Sequence, residues 1–225
     1  MEIQVRHNPA FAVARATLSP GESIKAEAGA MMATSGGVEI ESKMEGGLMK
    51  GLKRSVLGGE SLFMTTLTAG PMGGWVDCAA RLPGDAFVIE VNGAYNLTRG
   101  SWLCNEASVN LDTKWGGFTN VGGGEGGFLV HATGTGKVTV ACYGAVEKVT
   151  LGPSESIVVD SGHLVAFSNE TQFTTRKASK GLMNTLKSGE GFVMDFTGPG
   201  ELYIQARNPS EFIEWLTTVL PFSRQ

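Results

Sequence analysis

The sequence predicts an all-β protein in which one small β-module is written three times, followed by a short C-terminal helix. Three observations carry that prediction. The stretch from Leu18 to Ile40, LSPGESIKAEAGAMMATSGGVEI, returns from Leu151 to Phe173 as LGPSESIVVDSGHLVAFSNETQF without a gap. Self-similarity of this kind decides architecture before any local reading does. The chain has 32 glycines in 225 residues, about twice the usual share of roughly 7%. Glycine is costly inside helices and useful in tight turns, so such a surplus favours a turn-rich β protein. Finally, Asn208-Pro209-Ser210-Glu211 offers an N-cap, a proline at the first helical position and a carboxylate three residues on, the signals of a helix start.

In the two strong copies Leu18 pairs with Leu151, Pro20 with Pro153, Glu22 with Glu155, Ser23 with Ser156 and Ile24 with Ile157. Gly29 then pairs with Gly162, Ala33 with Ala166 and Ser35 with Ser168. A weaker copy lies between them, where Gly100, Trp102, Leu103, Val109 and Leu111 match Gly29, Met31, Met32, Val38 and Ile40.

Taken in order, residues 2–17 alternate as one or two strands through Ile3, Val5, Phe11 and Val13. Pro20 fixes φ and Gly21 accepts a positive one in the turn that follows. Ser23 to Ala33 reads as one half-buried strand, with Ile24, Ala26, Ala28, Ala30 and Met32 on a single face. Gly36-Gly37 interrupts, and Val38 to Ile40 resumes. Residues 45–63 differ in kind. Leu48, Met49, Leu52 and Val56 fall on one side at helical spacing, with Lys50, Lys53 and Arg54 opposite, a short amphipathic helix weakened by Gly51. Its echo is GLMNTLK at 181–187, leading to Gly189, Glu190 and Phe192, as GLMKGLK at 47–53 leads to Gly59, Glu60 and Phe63. The middle copy is looser, Trp115 to Phe118 leading to Gly124, Glu125 and Phe128.

Each insert is followed by a strand, a glycine turn and another strand. Thr133-Gly134-Thr135-Gly136 matches Thr197-Gly198-Pro199-Gly200, and Thr68-Ala69-Gly70-Pro71 resembles both. The expected modules are 1–78, 79–142 and 143–207, with a helix and tail over 208–225. Phe212, Trp215, Leu216 and Val219 form the apolar face expected to pack on the third module before Pro221 stops the helix.

The totals exclude several classes. A formal net charge of −4 gives no global basic field for nucleic acid. Cys78, Cys104 and Cys142 are odd in number and far apart, which fits neither a disulfide framework nor a zinc site but buried thiols in a reducing compartment. The first residues alternate charges at once and lack an apolar run, unlike a secretory signal. No stretch approaches the ~18 apolar residues of a membrane span. The expected location is the cytoplasm.

The threefold recurrence of proline-turn strand, Gly-Leu-Met insert, Gly-Glu-x-(x)-Phe and Thr-Gly-x-Gly resembles the family named in fungi for altered inheritance of mitochondria. Its bacterial and archaeal relatives are classed as TRAP-like, after the tryptophan RNA-binding attenuation protein. The resemblance covers nearly the whole chain. It implies three tandem β-sandwich modules of the short double-stranded β-helix type with pseudo-threefold symmetry, and chains assembled as homotrimers into a closed ring. The assembly also has a physical argument. Small modules bury little core alone and leave sheet edges unpaired, and ring closure relieves both.

No catalytic, cofactor or metal residue is assigned, and an enzyme is not expected. His7, His131 and His163 form no ligand pattern, and His163 stands where the other copies have Ala30 and Ser101. Glu60, Glu125 and Glu190 follow the same glycine in all three copies. They either converge on a local threefold axis, where they would hold a cation or share a proton, or, as expected here, cap turns and pair with Lys and Arg at module interfaces. The glycine run 122–127 lacks the Lys-Ser/Thr of a phosphate loop and reads as a hairpin. The most informative stretch carries Leu48, Met49, Lys50, Leu52, Lys53 and Arg54, an apolar ridge with a basic flank suited to a membrane surface or a partner protein. Arg176, Lys177, Lys180 and Lys187 add a second basic patch. The expected function is therefore a non-enzymatic ring-forming scaffold. The alternative is a small-molecule- or RNA-binding module using clefts between adjacent repeats, although the copies share no pattern of basic residues with stacking aromatics.

Overall fold

A computed structural model describes residues 1–44, 63–98, 100–115, 128–177 and 192–221. The first third holds β1 (Glu2–Arg6), β2 (Val13–Leu18), β3 (Ser23–Glu27), β4 (Met31–Thr34), β5 (Glu39–Met44), β6 (Phe63–Thr68) and β7 (Gly74–Ala79). The middle holds β8 (Ala86–Thr98), β9 (Trp102–Glu106), β10 (Val109–Trp115) and β11 (Phe128–Ala141). The last third holds β12 (Val146–Leu151), β13 (Ser156–Asp160), a 3₁₀ turn (Ser161–His163), β14 (Leu164–Ser168), β15 (Gln172–Lys177), β16 (Phe192–Thr197) and β17 (Gly200–Gln205). Helix α1 (Pro209–Val219) follows. Among the described residues the fold is all-β with a short C-terminal helix.

The same pairings recur. In the first third β2 and β4 flank β7, and β3 and β5 flank β6, all antiparallel. In the last third β12 and β14 flank β17, and β13 and β15 flank β16. In the middle, β8 runs along all of β11, from Ala86 opposite Ala141 to Thr98 opposite Leu129. There β9 and β10 take the places of β4 and β5. Even the bulge recurs: the register shifts between Met31 and Ala33, between Thr139 and Val140, and between Leu164 and Ala166.

The repeated identities have local reasons. Glu22 Oε2 accepts from the Ser19 N–H at 2.8 Å, and its counterpart Glu155 accepts from the Gly152 N–H at 2.7 Å. Each glutamate thereby closes the turn between two strands, satisfying a backbone donor. Ser35 Oγ accepts from the Trp75 N–H at 2.9 Å, and Ser168 Oγ from the Glu201 N–H at 3.1 Å. Gly21 sits at φ +73°, and Ser154 occupies the same left-handed region at φ +67°.

One expectation is corrected. Ser23 to Ala33 is two strands, not one. Gly29 at φ +87° turns the chain, and the Ala30 N–H donates to the Glu27 carbonyl. The single face predicted from Ile24 to Met32 is therefore split. Ile24 and Ala26 are fully buried, whereas Met32 is 54% exposed.

Among the described residues three apolar clusters form the core, and each mixes side chains from different thirds. Leu103 and Cys104 pack with Ile24, Ala26 and Leu67. Met64 lies with Trp102, Val109 and Leu111. Leu129 lies with Leu164, Phe167 and Phe196. The sheets are continuous across the same boundaries, because β3 pairs with β9 and β8 with β14. Helix α1 starts as expected: Asn208 Oδ1 accepts from the Ser210 N–H at 2.9 Å, and Pro209 opens the first turn. Its apolar face is only partly covered. Phe212 packs on Tyr143, but Trp215 and Val219 are exposed, contrary to the face predicted for the third module.

Candidate functional site

The residues singled out as a partner or membrane surface, Leu48, Met49, Lys50, Leu52, Lys53 and Arg54, lie outside the described residues. So do Glu60, Glu125 and Glu190, the glycine run 122–127, Lys180 and Lys187. The structure does fix where each insert leaves the fold. Met44 stands opposite Phe63, Trp115 opposite Phe128, and Lys177 opposite Phe192, so all three depart from equivalent hairpins. Within the described part of the second basic patch, Arg176 is bound bidentately by Asp195 at 2.7 and 3.1 Å.

Two of the histidines are bonded into the fold, and the cysteines are buried. His163 Nδ1 donates to the Gln205 carbonyl at 2.7 Å, and His131 Nδ1 lies 3.0 Å from Asn96 Oδ1. Cys78, Cys104 and Cys142 are free and buried. Burial pushes the Cys142 thiol up to about 11, far from the thiolate a nucleophile needs. Among the described residues no group of three or more His, Cys, Asp or Glu is placed to hold a metal ion.

What sequence reasoning missed is a difference between equivalent positions. Trp102, Leu103 and Leu111 are 2%, 1% and 7% exposed, and Leu164 and Val165 are 2% and 0%. Their first-repeat counterparts Met31, Met32 and Ile40 are 37%, 54% and 52% exposed. The reason is position in the chain. β9 is covered by β3 and β14 by β8, while β4 ends its sheet with no strand beyond it. At the other end β13 also ends its sheet, and Val158 on it is 53% exposed. Hydrophobic residues are the sequence signal for both surfaces, but sequence alone does not say which copy lacks a neighbour.

A second feature is a cavity of about 250 Å³ where parts of all three thirds meet. Glu27, Arg81, Thr98, Ser101, Trp102 and Gln205 contribute to its wall. Burial raises the Glu27 carboxyl above its ordinary value, and Arg81, 3.7 Å away, only partly offsets that. A third is an ion cluster on the outer face of the first third. Asp77 is 3% exposed and takes two bonds from Arg15, at 2.8 and 2.7 Å, and one contact from Arg6 at 2.9 Å. Arg15 stacks over Trp75. These bonds hold the Asp77 carboxyl below its usual range. Asp77 is fully committed to its own sheet and carries no open chemistry.

The comparisons with known proteins fit this fold. Residues 3–207 match the profile of the family described as Mitochondrial biogenesis AIM24. The chain belongs to that family. It is 29% identical over 236 residues to an uncharacterised protein of Streptococcus pyogenes serotype M6, covering 99% of this chain and 92% of that one. A crystal structure of a Streptococcus pyogenes protein superposes with a TM-score of 0.83 at 28% identity, covering 97% and 99% of the two chains. The family and the all-β fold with a short C-terminal helix, expected from the repeated motifs, are thus in place.

Proposed function

We propose that this AIM24-family chain is a non-catalytic scaffold of three tandem modules, over 1–78, 79–142 and 143–207, that assembles in the cytoplasm as a homotrimeric ring. The observation that carries this reading is the bare apolar surface of the first repeat. Met31, Met32 and Ile40 are exposed where Trp102, Leu103 and Leu111 are core, and large apolar side chains left bare at an unpaired sheet edge fit an interaction site. The recurring strand pairings support pseudo-threefold symmetry within the chain, and the two internal sheet junctions support a third, equivalent junction between chains. Unpaired thiols fit a reducing compartment. No helix among the described residues is long and apolar enough to cross a membrane.

The inserts are the working surface in this reading. They leave from equivalent hairpins, so a ring presents its copies on one rim. Leu48, Met49 and Leu52 would then contact a partner protein or a lipid surface, with Lys50, Lys53 and Arg54 adding attraction to anionic groups. Co-sedimentation with vesicles containing anionic lipid, comparing the protein with its Lys50→Glu/Lys53→Glu/Arg54→Glu variant, tests the surface. Binding lost in the variant supports it; equal binding, or none by either, removes the lipid branch.

The cavity beside Glu27 favours one second reading, a small-ligand site between repeats. At about 250 Å³ it lies below the roughly 300–1,000 Å³ of most ligand pockets. It therefore suits a small cationic or hydrogen-bonding molecule rather than RNA. Thermal-shift screening with small amines and amino acids tests it, and a flat profile at millimolar concentrations ends it.

A further inference from the structure

We infer that β4 of one copy pairs antiparallel with β13 of the next, with Ala33 opposite Val159, Thr34 opposite Val158 and Ser35 opposite Ile157. This rests on the self-assembly reading and names its interface.

The register comes from the two junctions inside the chain. At the first, Ile24, Lys25 and Ala26 of β3 face Glu106, Asn105 and Cys104 of β9. At the second, Tyr95, Asn96 and Leu97 of β8 face Ser168, Phe167 and Ala166 of β14. Under the alignment of the repeats, Ile24, Lys25 and Ala26 correspond to Tyr95, Asn96 and Leu97, and Glu106, Asn105 and Cys104 correspond to Ser168, Phe167 and Ala166. The two junctions are the same junction, residue for residue. Carrying the first strand forward to the last repeat gives Ile157, Val158 and Val159. Carrying the second back to the first repeat gives Ser35, Thr34 and Ala33. Within one chain these strands end different sheets and do not pair.

The two edges are left open for a partner strand. The Ser35 N–H bonds the Trp75 carbonyl, and successive residues of a strand aim their backbone groups to opposite sides. The Thr34 N–H and C=O therefore face the open edge. Neither β4 (MMAT) nor β13 (SIVVD) carries proline or lysine, the usual guards of an exposed edge. By contrast β12, which also ends a sheet, exposes Glu147 and Lys148. Side chains agree with the backbone. Met64 and Leu129, at the same place in β6 and β11, reach across each internal junction and are 5% exposed. Their counterpart in β16, Val193, is only half-buried. Across the new junction it would meet the exposed Met31, Met32 and Ile40.

The contact is heterologous, because each copy offers β4 on one side and β13 on the other, so it closes into a ring or runs on as a filament. Cysteine cross-linking tests the register. Thr34→Cys and Val158→Cys in one chain should give, after mild oxidation, a ladder of covalent multimers on a non-reducing gel. Each single variant alone should not, and Thr34→Cys with Ser156→Cys, two residues along the same face of β13, should give at least tenfold less product. The native thiols are buried and stay out of the reaction. In parallel, Val158→Lys and Thr34→Pro should convert an assembly measured by light scattering into a monomer of 23.7 kDa with unchanged circular dichroism. A wild-type protein that is itself monomeric overturns both the scaffold and this interface. An assembly that survives both edge variants and gives no Thr34–Val158 product leaves the scaffold standing and overturns the interface alone. Should an edge variant fail to fold, the cross-link decides by itself.

Discussion

Thr34, Asn105 and Phe167 align as one position in the three copies of the sequence pattern, and the structure treats them in three ways. Phe167 is 1% exposed and packs edge-on against Phe173 and Phe196, at 5.1 and 5.2 Å between ring centres. Asn105 is fully buried, accepts from the Trp102 indole N–H at 3.0 Å, and donates to the Glu106 and Val109 carbonyls at 2.8 and 3.0 Å. Thr34 is only half-buried on an edge. The pairing of the position recurs, with Thr34 opposite Val76, Asn105 opposite Val138 and Phe167 opposite Leu202, so the residue follows what lies on the other side of the strand. Where a neighbouring repeat covers it, the position is filled with an aromatic or a fully bonded amide. Where nothing covers it in the chain, it stays small and polar. Repetition sets the frame, and place in the order sets the chemistry.

Substitution should rank the three positions. Phe167→Ala removes a fully buried ring and should cost about 4 kcal/mol in urea unfolding, within the roughly 3–5 kcal/mol seen for such truncations. A loss under about 1 kcal/mol would mean the last repeat does not depend on its aromatic cluster. Asp77→Ala, in the ion cluster of the first third, should rank next, at about 2–3 kcal/mol. It removes a buried carboxylate that accepts from Arg15 and Arg6, whose side chains are 31% and 29% exposed and so partly relieved by water. Since the Asp77 carboxyl is held below its unfolded value, its contribution is complete above that value, roughly pH 4. It is lost as pH falls through the lower folded value. The wild type should therefore lose stability on acidification below about pH 4, and the Asp77→Ala variant should lose less over the same range. Parallel curves for the two would contradict that linkage.

Asn105→Ala should cost about 2 kcal/mol, since it leaves the Trp102 indole and two backbone carbonyls without that partner in a buried site. Tryptophan fluorescence gives a second readout, in which the Trp102 contribution should shift as its hydrogen bond is lost.

How much of this was legible in the sequence follows from the same logic. The identities at Glu22 and Glu155, and at Ser35 and Ser168, were visible because their side chains bond backbone within the repeat, a demand that the first and last copies share. The middle copy, where β8 runs straight through Gly93, does not. The helix at 209–219 was visible because Asn208, Pro209 and Glu211 act locally. The division of 23–33 into two strands was not, because a period-2 run of alanines fits either reading until Gly29 takes a positive φ. Nor was the bareness of Met31, Met32 and Ile40, because hydrophobicity marks what should be covered and not whether the covering strand exists in the same chain. Gly84 was missed for a similar reason. It forms a bridge with Gly144 where the two connections between thirds run side by side, and an added Cβ would strike the Cys142 carbonyl. Only the assembled repeats bring those glycines together.

The smallest expected effect sharpens the comparison most. Thr34→Ala keeps the backbone of β4, and the Thr34 hydroxyl donates only to the adjacent Ser35 carbonyl at 3.0 Å. For the unassembled chain the loss should stay within about 0.5 kcal/mol, the ordinary range for a surface change. The same change at an interface between chains removes partly buried area that exists only in the assembly. Dilution experiments should then place its effect on the association constant rather than on urea unfolding of the monomer. If Thr34→Ala destabilised the monomer as Asn105→Ala does, β4 would already be covered within its own chain. The contrast between first and later repeats would then have to come from something other than a missing neighbour.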